Sequence, residues 1–499
     1  MIPSRSSSLK RQFSSGIAWT ATGRTSQQMI QLGFSIVLAR LLSPHDYGLL
    51  AMVSVFTGFA WMLADFGFSV ALVQRQELTD AHIHSVFWID AAFGWLLAAV
   101  SWLAAPWVAK FYSIPDLDPI FRWSSLNFII GSFGNVPFAL LQKRLDFKSI
   151  AKADTISIAG SGIVCLVLSL MGKGAWSLVI QMLVSTTLTS ALRLRYSRWL
   201  PRMTFSFVAI KELWRFTFPF YGFQFINYWS RNGDNLLVGK FFGAPVLGVY
   251  NRAYALMLLP ITQVTNVISQ VVFPTFSSLQ NDKPKVKRIY LRSISVVALI
   301  TFPAMMALVV LAKPFVETVY GPKWTGVIPL LQIFGLLGIL QVLVHSTGWI
   351  FIPQGRTDIM FWWGLRFAAA VFLSFAAGIV LGSATALACC YAVVNLIFFY
   401  PRLRAAGRII DMRVSEVLTA VAGPFCGGLV MSVCIFIAGF LLPAHWKKWE
   451  VLFTLSAFGL AIYAAFVVSF RLQAWREVVT LIVEKCAPHP ELEPLPRSS

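Results

Sequence analysis

The chain has 499 residues, of which 57% are hydrophobic and only 12% charged, with a formal net charge of +20. Soluble domains carry roughly 25% charged residues, so this composition excludes an ordinary water-facing surface and leaves an integral membrane protein. Runs such as "AAFGWLLAAVSWLAAPWVA" and "VVALITFPAMMALVVLA" lack the alternation of a β-barrel, so the expected fold is an all-α integral membrane bundle.

Fourteen spans are predicted in chain order, at 14–39, 46–73, 84–109, 120–141, 153–171, 175–192, 216–239, 248–273, 293–312, 325–352, 359–380, 384–401, 417–441 and 449–470. The basic start "MIPSRSSSLKRQFSSGIAWTATGRTSQQMIQ" lacks a short apolar core with a small-residue cleavage site, so the first span is read as retained. With the amino terminus taken as cytoplasmic, one set of alternate loops holds 28 Lys and Arg and the other set holds 8. That asymmetry fits an even number of spans with both termini cytoplasmic, and it accounts for the positive charge without nucleic acid. Four of the six cysteines, Cys165, Cys389, Cys390 and Cys434, fall well inside spans, and no spacing suits a metal or a disulfide framework. No cofactor is expected, and a coupling ion, H+ or Na+, is not legible.

An internal repeat shows as an offset of 200. It places "GFSIVLARLLSPHDYG" (33–48) on "GDNLLVGKFFGAPVLG" (233–248), matching Gly33 with Gly233, Arg40 with Lys240 and Gly48 with Gly248. A second match sets "QKRLD" (142–146) against "QGRTD" (354–358). Both put corresponding elements six spans apart, which makes the copies parallel rather than inverted. The expected organisation is an N-lobe at 1–200, a cytoplasmic linker at 201–215, a C-lobe at 216–405, two further spans within 406–470 and a cytoplasmic tail at 471–499. The basic stretch from 193 to 215 suits either a helix lying on the membrane surface or a plain loop.

The segments "ARLLSPHDYGLLAMV", "DFGFSVALVQ" and "DNLLVGKFFGAPVLGVYNRAYALMLLP" resemble the polysaccharide-exporter family, which includes O-antigen and colanic-acid flippases. That family lies within the multidrug, oligosaccharidyl-lipid and polysaccharide superfamily. The resemblance implies two parallel six-helix lobes in a V around a central cavity, with two C-terminal helices added. It also implies alternating access acting on an oligosaccharide linked to undecaprenyl pyrophosphate, in a bacterial inner membrane. Implied partners are the lipid-linked oligosaccharide, membrane lipids, a polysaccharide polymerase and export machinery.

Charges inside spans carry the site hypothesis, because an Arg at a helix centre costs roughly 2.5 to 3.5 kcal/mol and needs water or a partner. In the first span Arg24, Gln28 and Gln31 fall on one face, with Gln27 flanking them. In the seventh, Gln224, Asn227, Arg231 and Asn235 form a like stripe, with Asp234 beside it. Guanidinium forks suit phosphate oxygens, and amides suit sugar hydroxyls. The competing reading pairs Arg231 with Asp234, and Arg24 with Asp65 or Asp90. Lys240 and Arg252 are read mainly as interface residues flanking a short outer loop. Arg366 is expected to snorkel, and Trp88, Trp107, Trp324 and Trp446 to form interfacial belts.

Two other functions compete. A polysaccharide polymerase should carry a substantial outer loop with catalytic residues, yet every outer loop is about fifteen residues or shorter. An ion-coupled multidrug exporter handling cationic drugs should present unpaired carboxylates, whereas the central stripes carry Arg and amides. A transporter rather than an enzyme is the expectation.

Overall fold

The computed structural model describes the backbone of residues 5–64, 72–73, 75, 78–443 and 445–477, and the side chains of these except 5–22, 64, 209–227 and 230–231. Among the described residues all regular structure is helical. In chain order the helices are α1 (Arg5–Leu41), α2 (Pro44–Ala64), α3 (Asp80–Tyr112), α4 (Leu117–Lys143), α5 (Phe147–Leu170), α6 (Ala175–Ser197) and α7 (Phe207–Ser278). They continue with α8 (Lys283–Val310), α9 (Ala312–Val319), a 3-10 turn (Pro322–Trp324), α10 (Val327–Ser346), α11 (Gly348–Phe351), α12 (Thr357–Val380), α13 (Ala384–Gly407), α14 (Val414–Leu441) and α15 (Lys448–Ser469).

Twelve described segments are long and apolar enough to cross a membrane. The polar run through Arg24, Gln27, Gln28 and Gln31 keeps α1 out of that set. At 1.5 Å per residue the 72-residue α7 would be roughly 108 Å long if straight, more than three times the roughly 30 Å hydrocarbon core. It breaks instead at Gly243, whose φ of 81° and ψ of 176° leave the helical region. Glycine reaches that conformation without a Cβ clash, so α7 is two helices joined at one residue. With α7 counted as two and α1 included, a described helix falls within each of the fourteen expected spans. Side chains such as Trp95, Leu103, Trp107, Leu373 and Phe453 are exposed on their faces, as a lipid-facing surface requires.

The chain forms two compact units. The first comprises 1–252, 319–327 and 371–387, and the second 253–318, 328–370 and 388–499. In the first, α1 packs on α5, α3 on α4, and α6 on both α4 and α5. Leu38, Leu42, Cys165 and Leu178 make one buried cluster, and Val86, Phe87, Val136 and Leu140 belong to another. The segment 198–206 is not helical. Its backbone is tied to α3, with Trp88 Nε1 donating to the Arg202 carbonyl at 2.9 Å, Arg202 N to His84 Nδ1 at 3.0 Å and Ser206 N to Ser85 Oγ at 2.8 Å. The stretch 193–215, for which the sequence leaves both a surface helix and a plain loop open, is thus divided: 193–197 close α6, 198–206 are tied to α3 as a loop, and 207–215 open α7. In the second unit α14 packs on α8 and α15 packs on α14. Ser295 donates to the Ala420 carbonyl at 2.8 Å and Tyr463 to the Leu299 carbonyl at 2.8 Å, fixing the C-terminal helix pair to α8.

Candidate functional site

Two helices of the first unit meet at backbone contact. A Cβ built on Gly48 would lie 1.8 Å from the Ala244 carbonyl oxygen, and one on Gly248 would lie 1.9 Å from the Pro44 carbonyl oxygen. Under the offset of 200, Pro44 corresponds to Ala244 and Gly48 to Gly248, so the two contacts are one contact made twice. The repeat read from the sequence is therefore also a reciprocal packing relation. Arg40 and Lys240, a second matched pair, behave alike: Arg40 Nε donates to the Val319 carbonyl and Lys240 Nζ to the Phe111 carbonyl.

This close crossing positions Arg252, nine residues past the break at Gly243. Its guanidinium lies 4.1 Å from the Tyr47 ring centroid, 5.9 Å from that of Tyr320 and 6.0 Å from that of Trp324. The cage is rigid in its turn, because Trp324 Nε1 donates to the Ala39 carbonyl at 2.7 Å and Tyr47 meets Trp324 edge-on at 5.4 Å. Arg252 Nη1 donates to Ser35 Oγ at 3.1 Å, while its Nε is buried with no acceptor among the described residues. The aromatic faces hold the cation without neutralising it.

Ser35 ties that cage to α1. Arg24, Gln28, Gln31 and Ser35 follow at i, i+4, i+7 and i+11, which at 100° per residue is one face of the helix. Arg24 and Gln31 are exposed, Gln28 is half-buried, and Arg24 makes no ion pair among the described residues. A polar lane thus leads from one uncompensated guanidinium to another. Spare N–H donors at both ends and amides between them are suited to a ligand carrying an oxyanion and hydroxyl groups.

The other sequence candidates fall elsewhere. Gln27 points at α5, its Nε2 3.5 Å from the Ala151 carbonyl, where Gly23 also packs against Ala151. Asp234 is buried; it accepts from Tyr250 Oη at 3.0 Å and from the Asn235 backbone N at 2.8 Å, and Asn235 is half-buried beside it. The side chains of Gln224, Asn227 and Arg231 lie outside the described residues, as does Asp65. Asp90 is buried in α3 and makes no pair with Arg24.

Two expectations are corrected. Trp324 is fully buried against Arg252 and α1 rather than in an interfacial belt, because its indole N–H finds the Ala39 carbonyl there. Arg252 flanks no loop: the turn is the single residue Gly243, so residues 244–252 are already helix and carry Arg252 into the packed crossing. One signal for Arg252 lay in the sequence, since Ser35 continues the Arg24 stripe. The cage itself joins positions 47, 252, 320 and 324, too far apart for any local pattern.

A helical membrane protein with uncompensated cations along a polar lane has the equipment of a carrier for anionic cargo. Residues 37–329 match the polysaccharide biosynthesis protein family, and the chain belongs to that family. The resemblance read in the sequence is thereby borne out. The chain is 26% identical over 431 residues to the teichuronic acid biosynthesis protein TuaB of Bacillus subtilis (strain 168), covering 86% of this chain and 89% of that protein. It is 28% identical over 371 residues to the succinoglycan biosynthesis transport protein ExoT of Rhizobium meliloti (strain 1021), covering 74% of each. Its fold matches the inward closed conformation of the lipid II flippase MurJ with a TM-score of 0.73, at 14% identity, over 92% of this chain and 99% of that one.

Proposed function

We propose that this chain carries an oligosaccharide repeat unit, linked to undecaprenyl pyrophosphate, from the cytoplasmic to the outer leaflet of a bacterial inner membrane by alternating access. Membership of a polysaccharide biosynthesis family supplies the cargo class, and the relatives include a transport protein of succinoglycan biosynthesis. The observation that carries the reading is the lane on α1, with Arg24 at one end and the caged Arg252 at the other, neither neutralised by a carboxylate among the described residues. A pyrophosphate is the part of such a cargo that those guanidiniums fit, and the intervening glutamines suit its sugars. Both termini are cytoplasmic in this reading, with the polymerase and export machinery as downstream partners, and Gln224, Asn227 and Arg231, polar residues of the seventh span, are further candidates for cargo contact on their sequence alone.

The experiment is reconstitution of the purified chain in proteoliposomes loaded with the lipid-linked repeat unit of its host. A membrane-impermeant glycosidase or lectin then reports how much cargo reaches the outer leaflet. Time-dependent exposure that is lost in Arg24→Ala is the expected result. Equal exposure with and without the protein would refute the proposal, and export of a cationic dye in its place would favour the multidrug reading.

A further inference from the structure

In the second unit, α12 and α13 and the turns at their ends carry a second set of cations, none of which belongs to the α1 lane. Arg356, Trp363 and Arg366 recur at helical spacing on one side, and Tyr400, Arg404 and Arg408 recur every four residues on the other. The two faces meet around a cavity of about 720 Å3, which Lys283 also lines. Five of its lining residues are basic and none is acidic. Two of the five are spoken for, since Arg356 pairs with Asp358 at 3.2 Å and Lys283 with Asp411 at 3.4 Å. Arg366, Arg404 and Arg408 make no ion pair among the described residues, and Arg366 lies over the Trp363 ring at 5.5 Å.

The rule that places basic residues in cytoplasmic loops explains their presence at this end of the helices, but not their convergence on one concavity. Arg366 is nine residues into α12, about 14 Å along its axis, a depth at which a cation with no carboxylate partner needs water or an anionic group. The Tyr400–Arg404 column also continues down α13 as Val393 and Ile397, exposed at 54% and 61%. A basic pocket thus opens onto an apolar lane of the width of one helix face.

We infer that this cavity seats the phosphate headgroup of an anionic membrane phospholipid, with an acyl chain lying along Ile397 and Val393. Guanidiniums between helix ends at the cytoplasmic surface are the chemistry that recognises such headgroups. The apolar lane points to a lipid rather than a free phosphate. The inference is independent of the cargo reading, since it uses none of the residues of the α1 lane.

Native mass spectrometry of the full chain in detergent, titrated with dioleoylphosphatidylglycerol, dioleoylphosphatidylcholine and inorganic pyrophosphate, tests it. The triple variant Arg366→Gln, Arg404→Gln, Arg408→Gln should weaken phosphatidylglycerol binding by about tenfold or more, at a free-energy scale of one surface cation per lost contact, and leave phosphatidylcholine unchanged. The control triple Lys148→Gln, Lys152→Gln, Arg195→Gln removes equal charge from exposed positions of the first unit and should change binding less than about twofold. Should the cavity triple fail to fold, Arg404→Gln alone, an exposed position, should still lower phosphatidylglycerol affinity measurably. Equal loss in both triples would reduce the effect to net charge and overturn the inference. So would undiminished binding in the cavity variants, or displacement of phosphatidylglycerol by an equal concentration of pyrophosphate, which would mark a free-phosphate site.

Discussion

Replacing Arg252 with Met removes the charge while keeping most of the side-chain volume, and the structure allows its effects on stability and on transport to be separated. The variant loses the hydrogen bond to Ser35 Oγ, about 1.5 to 3 kcal/mol for a charged donor, and the stacking on Tyr47, at most about 2 kcal/mol. Against this, it no longer places a guanidinium inside a membrane helix without a carboxylate, a cost of about 2.5 to 3.5 kcal/mol at a helix centre. The opposing effects nearly cancel, so the melting temperature should move little. If the spare N–H donors bind phosphate in transit, their loss is about 1.5 to 3 kcal/mol and should slow transport by roughly 10- to 150-fold. Arg252→Lys keeps the charge without the fork and should fall between. Fluorescence-detected thermal melting gives the first quantity and the proteoliposome assay the second. A variant that melts far below the parent, or one that transports at the parental rate, would show that Arg252 is a packing element and sink the argument.

Gly48→Leu or Gly248→Leu should each cost about 1 to 3 kcal/mol or more by overpacking, since the obstacle is a backbone carbonyl that cannot rotate away, whereas Gly33→Ala, with nothing within 4 Å of its Cβ, should be neutral or slightly stabilising in the same melting assay. Arg24→Ala should leave expression near normal and abolish transport, with Lys rescuing in part, because Arg24 is exposed and makes no ion pair among the described residues that its loss would orphan. Tyr250→Phe should lower the melting temperature by depriving the Asp234 carboxylate of a donor, a cost of about 1 to 3 kcal/mol for a buried acceptor. Arg231→Ala should lose transport whether or not Asp234→Ala accompanies it; restored export in the double variant would mean that those two residues are an ion pair. Cysteines at Lys152 and Asp282 should be shielded from impermeant thiol reagents in intact cells while one at Lys447 reacts, and any reversal would refute the orientation drawn from the 28 to 8 loop charges.

The helices were legible because a membrane leaves the chain one way to satisfy its backbone, so apolar length alone locates the spans. The sequence also carried the repeat, and the reciprocal contact of Gly48 with Ala244 and of Gly248 with Pro44 shows why those glycines sit where they do. What periodicity could not reveal was which polar residues face one another across helices. Arg24, Gln28 and Gln31 lie on one helix and their alignment follows from 3.6 residues per turn. The cage around Arg252 draws on α2, α7 and the segment after α9, and no local spacing encodes a contact between positions 47, 252 and 324. The one-residue turn at Gly243 was hidden for a related reason, since "KFFGAPVLG" reads as a loop until the helices on either side are seen to continue to its edges.

Comparing the two copies of the repeat assigns the remaining polar residues. Shifted by 200, Arg252 corresponds to Met52, Asp234 to Phe34 and Tyr250 to Leu50, so the first copy holds apolar side chains at these three positions. Met52 is fully buried, and Phe34 and Leu50 pack against the cluster of Leu38, Leu42 and Cys165. Each polar residue in the second copy carries a desolvation cost of about 1 to 3 kcal/mol unless it is hydrogen-bonded. Asp234 recovers that cost locally, one oxygen taking the Asn235 N–H and the other the Tyr250 hydroxyl, which leaves little capacity for a ligand while that geometry holds. Arg252 does not, because Ser35 satisfies one donor and the buried Nε finds none. Arg252 thus keeps unspent hydrogen-bonding capacity beside the lane on α1, and an anionic group passing along that lane is what would use it.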